Sequence, residues 1–107
     1  MTLLMRIERW DARRDGPLSE SALQHKLDSR GYQVSVRTYP SGTVAVAETG
    51  PDERIQAVVT GLVKVTIDRE SAILSAGDVV FVPRGSVRRL EVIGPSPARC
   101  LDGVTRD

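Results

Sequence analysis

Few residues of this chain are equipped for covalent or metal chemistry, and their scarcity narrows the options. His25 is the single histidine and Cys100 the single cysteine. A cysteine nucleophile needs a lowered pKa and a partner base, and no histidine is spaced to serve Cys100. It reads as a small buried hydrophobe in the run Ala98-Arg99-Cys100-Leu101. His25 falls in a helical stretch, about 200° around from Leu23 and therefore on the solvent side. What remains is charge: carboxylates, and arginines whose planar forks bind carboxylate or phosphate through paired hydrogen bonds. The basic cluster Arg84, Arg88 and Arg89 is short, interrupted and not interleaved with aromatics, so no nucleic-acid partner is expected.

One stretch holds an arginine at a fixed place. Gly77 to Arg88 reads GDVVFVPRGSVR: a turn glycine, an apolar strand, the corner Pro83-Arg84-Gly85, then a basic residue entering a second strand. Pro83 cannot donate to a ladder and Gly85 can take backbone angles closed to other residues. The stretch resembles the second motif of the cupin superfamily: glycine, five residues, proline, one residue, glycine, two residues, histidine. Gly77, Pro83 and Gly85 fall in register, and Arg88 stands at the histidine position. The first cupin motif supplies two histidines and a glutamate, with a glycine after six further residues. In ETGPDERIQAVVTG, counting back from Gly61 puts Glu48, Gly50 and Arg54 at those places. The resemblance covers roughly residues 32–101. It implies an all-β fold, a cupin-type double-stranded β-helix (jelly-roll) barrel with one N-terminal helix packed outside. A metal site of that family needs neutral imidazoles or carboxylates. Guanidinium groups stay charged and repel a divalent ion, so neither a transition metal nor any other cofactor is expected.

Strand alternation puts Val44, Val46 and Glu48 on one face, and likewise Arg54, Gln56 and Val58, and Arg88, Leu90 and Val92. The resemblance turns these faces into the barrel interior, with an apolar floor, Gln56 above it, and Glu48, Arg54 and Arg88 near the mouth. Two arginines against one glutamate leave one positive charge unpaired, which is costly to bury. Water at the mouth, Asp52, Glu53 or an anionic ligand would neutralise it. The leading expectation is therefore a metal-independent, small-molecule-binding protein. It would hold a small organic acid through Arg54 and Arg88, with Glu48 and Gln56 beside them. A metal-independent isomerase or cyclase acting on a small carbonyl or carboxylate compound is the second reading, with Glu48 as its weak catalytic candidate. Nearby arginines would depress the pKa of Glu48 and weaken it as a base. The third is a non-catalytic interaction protein whose barrel is filled by a salt-bridged plug.

The elements that must position these residues are legible from turns and periodicity. Leu18 to Arg30 reads as a helix, with Ser19 as N-cap, Leu23 and Leu27 on one face, and Gly31 at the left-handed stop. Tyr32 is placed to fold back on Leu27. Beyond Gly31 the period changes to that of short, valine-rich strands separated by Gly, Pro, Asp and Ser turns. Eight are expected, at 33–39, 43–49, 55–60, 62–68, 72–74, 79–82, 87–93 and 98–101. Residues 4–10 read as an edge strand, 11–17 as a loop and 102–107 as a frayed tail. The chain divides into an N-terminal strand or arm with its helix, 1–31, and the barrel, 32–107, together one structural domain. In small cupins such an arm commonly pairs with a second subunit, so the resemblance implies a homodimer.

A chain of 107 residues is one domain, long enough to bury a core without disulfides or metal. Its net charge of +1 argues neither for nor against an acidic partner. Aromatics at 4% leave few platforms for stacking bases. The opening MTLLMRIERW is too short and too soon charged for a signal or membrane segment. With a lone cysteine, this points to a cytoplasmic protein with no membrane partner.

Overall fold

A computed structural model describes residues 5–44 and 46–105. Leu4, Ala45, Arg106 and Asp107, which fall in expected elements, lie outside the described residues. The chain runs β1 (Arg6–Glu8), α1 (Ala12–Asp15), α2 (Glu20–Ser29), β2 (Tyr32–Tyr39), β3 (Val46–Glu48), β4 (Arg54–Thr60), β5 (Val63–Ile67), β6 (Glu70–Leu74), β7 (Val79–Val82), β8 (Arg88–Val92) and β9 (Ala98–Thr105). The strands form two antiparallel sheets, ordered β1-β7-β4-β9-β2 and β3-β8-β5-β6. They face each other as the expected jelly roll.

The five-stranded sheet is apolar on both faces, because alternate residues of its strands serve different cores. Val58, Val80, Val82, Ala98 and Cys100 face the second sheet and pack with its Val63, Val65, Leu74, Leu90 and Val92. Ile55, Ala57, Val79 and Leu101 face the other way and meet Leu23, Leu27 and Tyr32. Helix α2 therefore covers the outside of the barrel. Ser19 Oγ accepts from Ala22 N at 3.0 Å, and Gly31 ends the helix at φ 91°. Leu23 and Leu27 are fully buried, a contribution of about 2 kcal/mol each from area removed from water.

Three expectations are corrected. Residues 11–17 are not all loop: Asp11 caps the short helix α1 by accepting from Arg13 N. Residues 102–105 are not frayed; β9 continues to Thr105, and β2 pairs with it along its whole length, Tyr32 opposite Thr105. Val44 does not face the interior but is 68% exposed, because β3 begins only at Val46. The arm of residues 5–10 lies on its own barrel as edge strand β1 against β7.

Candidate functional site

The inward faces of β4, β8 and β9 end in polar residues at one end of the barrel. On β9 the alternation that buries Ala98 and Cys100 next presents Asp102; on β4, Val58 is followed outward by Gln56 and Arg54; on β8, Leu90 by Arg88. Register then aligns them across strands: Gln56 is opposite Asp102, and Glu48 opposite Arg88. The Pro83–Gly85 corner is closed by Ser86 N donating to Pro83 O at 3.1 Å, with Gly85 at φ 78°. Gly85 N also donates to Gly50 O at 3.1 Å, which ties the corner to the segment after β3.

These groups line a cavity of about 230 Å³ bounded by Ser35, Arg37, Glu48, Arg54, Gln56, Arg88 and Asp102, with Ile55, Val82, Gly103 and Val104. Glu48 is its electrostatic hub. Its carboxylate accepts from Arg88 Nη2 at 2.9 Å, is paired with Arg37, and lies 4.0 Å from Arg54 Nη1. Arg88 Nη1 donates to Gln56 Oε1 at 3.2 Å, and Gln56 Nε2 donates to Asp102 Oδ1 at 2.9 Å. Tyr39 Oη lies 3.5 Å from the same Gln56 nitrogen. Arg54 Nη2 donates to Ser86 O at 3.0 Å, whereas its buried Nε has no hydrogen-bond partner among the described residues.

Burial opposes ionisation of Glu48, but the Arg37 hydrogen bond and the Arg88 and Arg37 charges outweigh it and hold the carboxyl below its usual range. Asp102 goes the other way: burial pushes its pKa up against the pull of Arg88 and Arg37. Two carboxyls in one cavity are thus driven apart by their surroundings.

The sequence-derived set Glu48, Arg54, Gln56 and Arg88 is brought together here, with one shift of place. Arg88 is 3% exposed and lies beneath the mouth, so it does not reach past the rim to water. Sequence reasoning missed Arg37 and Asp102. Both signals were present: Ser35, Arg37 and Tyr39 alternate on β2, and Asp102 follows Ala98 and Cys100 at the same period. Neither of the acids proposed to neutralise the arginines, Asp52 and Glu53, lines the cavity; Glu53 accepts from Tyr32 Oη at 3.0 Å. With Arg37 and Asp102 counted, three arginines face two carboxylates, and the formal excess is still one positive charge. Cys100 is fully buried and its thiol is pushed up to about 12 by burial. His25 is exposed on α2, away from the cavity.

Two sheets rolled around an apolar core, with polar side chains gathered at one open end, define a small jelly-roll barrel protein. The chain belongs to the cupin-domain family, whose model matches residues 35–104. It is similar to the cupin domain of Schizosaccharomyces pombe Cnp3, at 19% identity and a TM-score of 0.65 over 72% of this chain and 54% of that one. A cupin protein from Bacteroides fragilis is 26% identical, with a TM-score of 0.61 over 71% and 66% of the two chains. A putative ethanolamine utilization protein Q from Salmonella typhimurium is 21% identical, with a TM-score of 0.57 over 83% and 64%. The chain thus spans about half the length of the Cnp3 domain's chain and about two thirds of the other two. No curated protein matches it.

The side chains at the family's metal-ligand positions are not those of a metal site. Of its four positions, Glu48 alone offers a ligand atom, and the others hold Gly50, Arg54 and Arg88. Among the described residues no three histidine, cysteine, aspartate or glutamate side chains are grouped to hold a metal ion. A guanidinium has no lone pair to give and repels a cation, so this donor set does not fit a divalent metal. Nor is any helix among the described residues long and apolar enough to cross a membrane.

Proposed function

We propose that this cupin binds a small organic acid in the barrel without a metal ion, the acid's carboxylate being held by Arg54 and Arg88 with help from Arg37. The observation that carries the reading is the excess of guanidinium over carboxylate around an open cavity, Arg37, Arg54 and Arg88 against Glu48 and Asp102. The salt-bridged plug is disfavoured because the ion pairs leave about 230 Å³ open beside them. In the catalytic reading, Glu48 is a poor base because its pKa is lowered, and Asp102 is the better placed proton acceptor.

The test is thermal denaturation of untagged, metal-analysed protein in a non-carboxylate buffer, against a panel of small carboxylic acids. Saturable stabilisation is expected in wild type and its loss in Arg88→Met, which keeps the buried stem and removes the charge. A stoichiometric transition metal, or an unchanged midpoint with every acid, would overturn the reading. A homodimer is proposed on the family resemblance alone, since the arm of this chain pairs with its own β7. Sedimentation at micromolar concentration giving only an 11.7 kDa species would reject it.

A further inference from the structure

The carboxylate of Glu48 already sits where an arginine-bound acid belongs. It touches Arg37 and Arg88 and lies 4.0 Å from Arg54, so it takes up the guanidinium donors that a ligand would seek. Its tether is slight. β3 is three residues long, it is an edge strand with β8 as its one neighbour, and the Glu48 side chain remains 34% exposed. The groups beneath it differ in kind. Arg88 is enclosed, and Gln56 is fixed from both sides by Arg88 and Asp102.

Charge then defines the ligand. With Glu48 swung to solvent, Arg37, Arg54 and Arg88 face Asp102 alone, a formal excess of two positive charges. A monocarboxylate leaves one of them unmatched, whereas a dicarboxylate matches both. Its second carboxylate meets Arg54, whose Nη1 stands 4.0 Å from Glu48 and loses that neighbour when Glu48 leaves. Size agrees: at roughly 30 Å³ per water-sized group, the cavity of about 230 Å³ holds a molecule of about eight non-hydrogen atoms. That is the scale of a three- or four-carbon dicarboxylate.

We propose that the site takes a short dicarboxylate, one end of which displaces the Glu48 carboxylate from Arg37 and Arg88 while the other reaches Arg54. The inference rests on the acid-binding reading above and adds two things to it, the ligand's double charge and an internal competitor. Removing the competitor should tighten binding.

The experiment is calorimetric titration of the full chain with malonate and succinate, and with acetate and butyrate, at low ionic strength. Wild type, Glu48→Gln, Glu48→Asp and Glu20→Gln are compared. Glu20→Gln removes one carboxylate from an ion pair with Arg99 outside the cavity, and so controls for net charge. Wild type is expected to bind the dicarboxylates at least tenfold more tightly than the monocarboxylates. Glu48→Gln should bind every acid at least tenfold more tightly than wild type does, and Glu20→Gln should bind as wild type. Glu48→Asp, which keeps the charge on a shorter stem, should fall between and guards against misfolding of the glutamine variant. Equal or weaker binding by Glu48→Gln, with wild type still binding acids, would overturn the displacement and leave the acid-binding reading standing. Equal affinity of wild type for both classes would overturn the dicarboxylate. No binding of any acid by any folded variant would overturn both readings together.

Discussion

Arg88 shows how one substitution redirects a site. In the family's second motif the position carries a histidine; here the corner delivers a guanidinium, which meets Glu48 and Gln56. The two carboxyls of the cavity give opposite acid responses. Glu48 has a folded pKa below its ordinary value of 4.5, so its contribution is present above pH 4.5 and lost as pH falls through the folded value. Asp102 has a folded pKa above 3.8, so its buried charge is relieved, and stability gained, as pH falls through the folded value. Asp102→Asn should therefore lose stability relative to wild type as pH is lowered toward about 4, measured by urea unfolding at stepped pH. Cys100, with its thiol near 12, should resist thiol reagents at pH 8 in the native protein and react stoichiometrically in denaturant. Rapid native labelling would contradict its burial. The sequence made Glu48, Arg54 and Arg88 legible because two motifs fix their spacing, and Gln56 because it alternates with Arg54 along one strand. Arg37 and Asp102 lie outside those motifs, on strands whose inward face was not assigned, so they were passed over.

Elements are held to the barrel by particular contacts that can be broken singly. Ser19→Ala removes the acceptor of Ala22 N and should cost about 1 kcal/mol in urea unfolding. The arm docks on the turn that opens the second motif. Arg9 pairs with buried Asp78, which also accepts from Ser75 N at 2.9 Å, and Trp10 lies against Gly77. A Cβ on Gly77 would stand 2.7 Å from Trp10 Cβ, on a residue at φ 90°. Gly77→Ala should consequently cost more than about 1 kcal/mol and loosen the arm, read as faster amide exchange over residues 6–10. Turn and cap residues made α2 and β7 readable to within a residue or two. α1 escaped notice because four residues carry no periodicity, and its cap, Asp11, also reads as a turn residue. β3 came out shorter than expected for a related reason: Thr43 and Val44 have strand-like side chains, but in this fold Thr43 N and side chain turn back on Pro40 O. Local propensity cannot see such a turn.

At the scale of the molecule, the central sheet divides the apolar side chains into an inner core and an outer one under α2. The family match begins at residue 35, yet Leu23 and Leu27 complete the packing over Ile55, Ala57 and Leu101. A chain cut to residues 32–107 should expose that surface and aggregate on size-exclusion chromatography, whereas the full chain should not. The order of strands has a consequence for biosynthesis. β9, the last strand described, lies inside its sheet between β4 and β2 rather than at an edge. While the ribosome is still making the preceding segments, β2 and β4 have open edges and no partner between them. The five-stranded sheet, and with it the cavity that Asp102 lines, comes together only after residue 105 has left the exit tunnel. Until β9 has emerged, β2 and β4 are unpaired strand edges of the kind a chaperone is suited to hold.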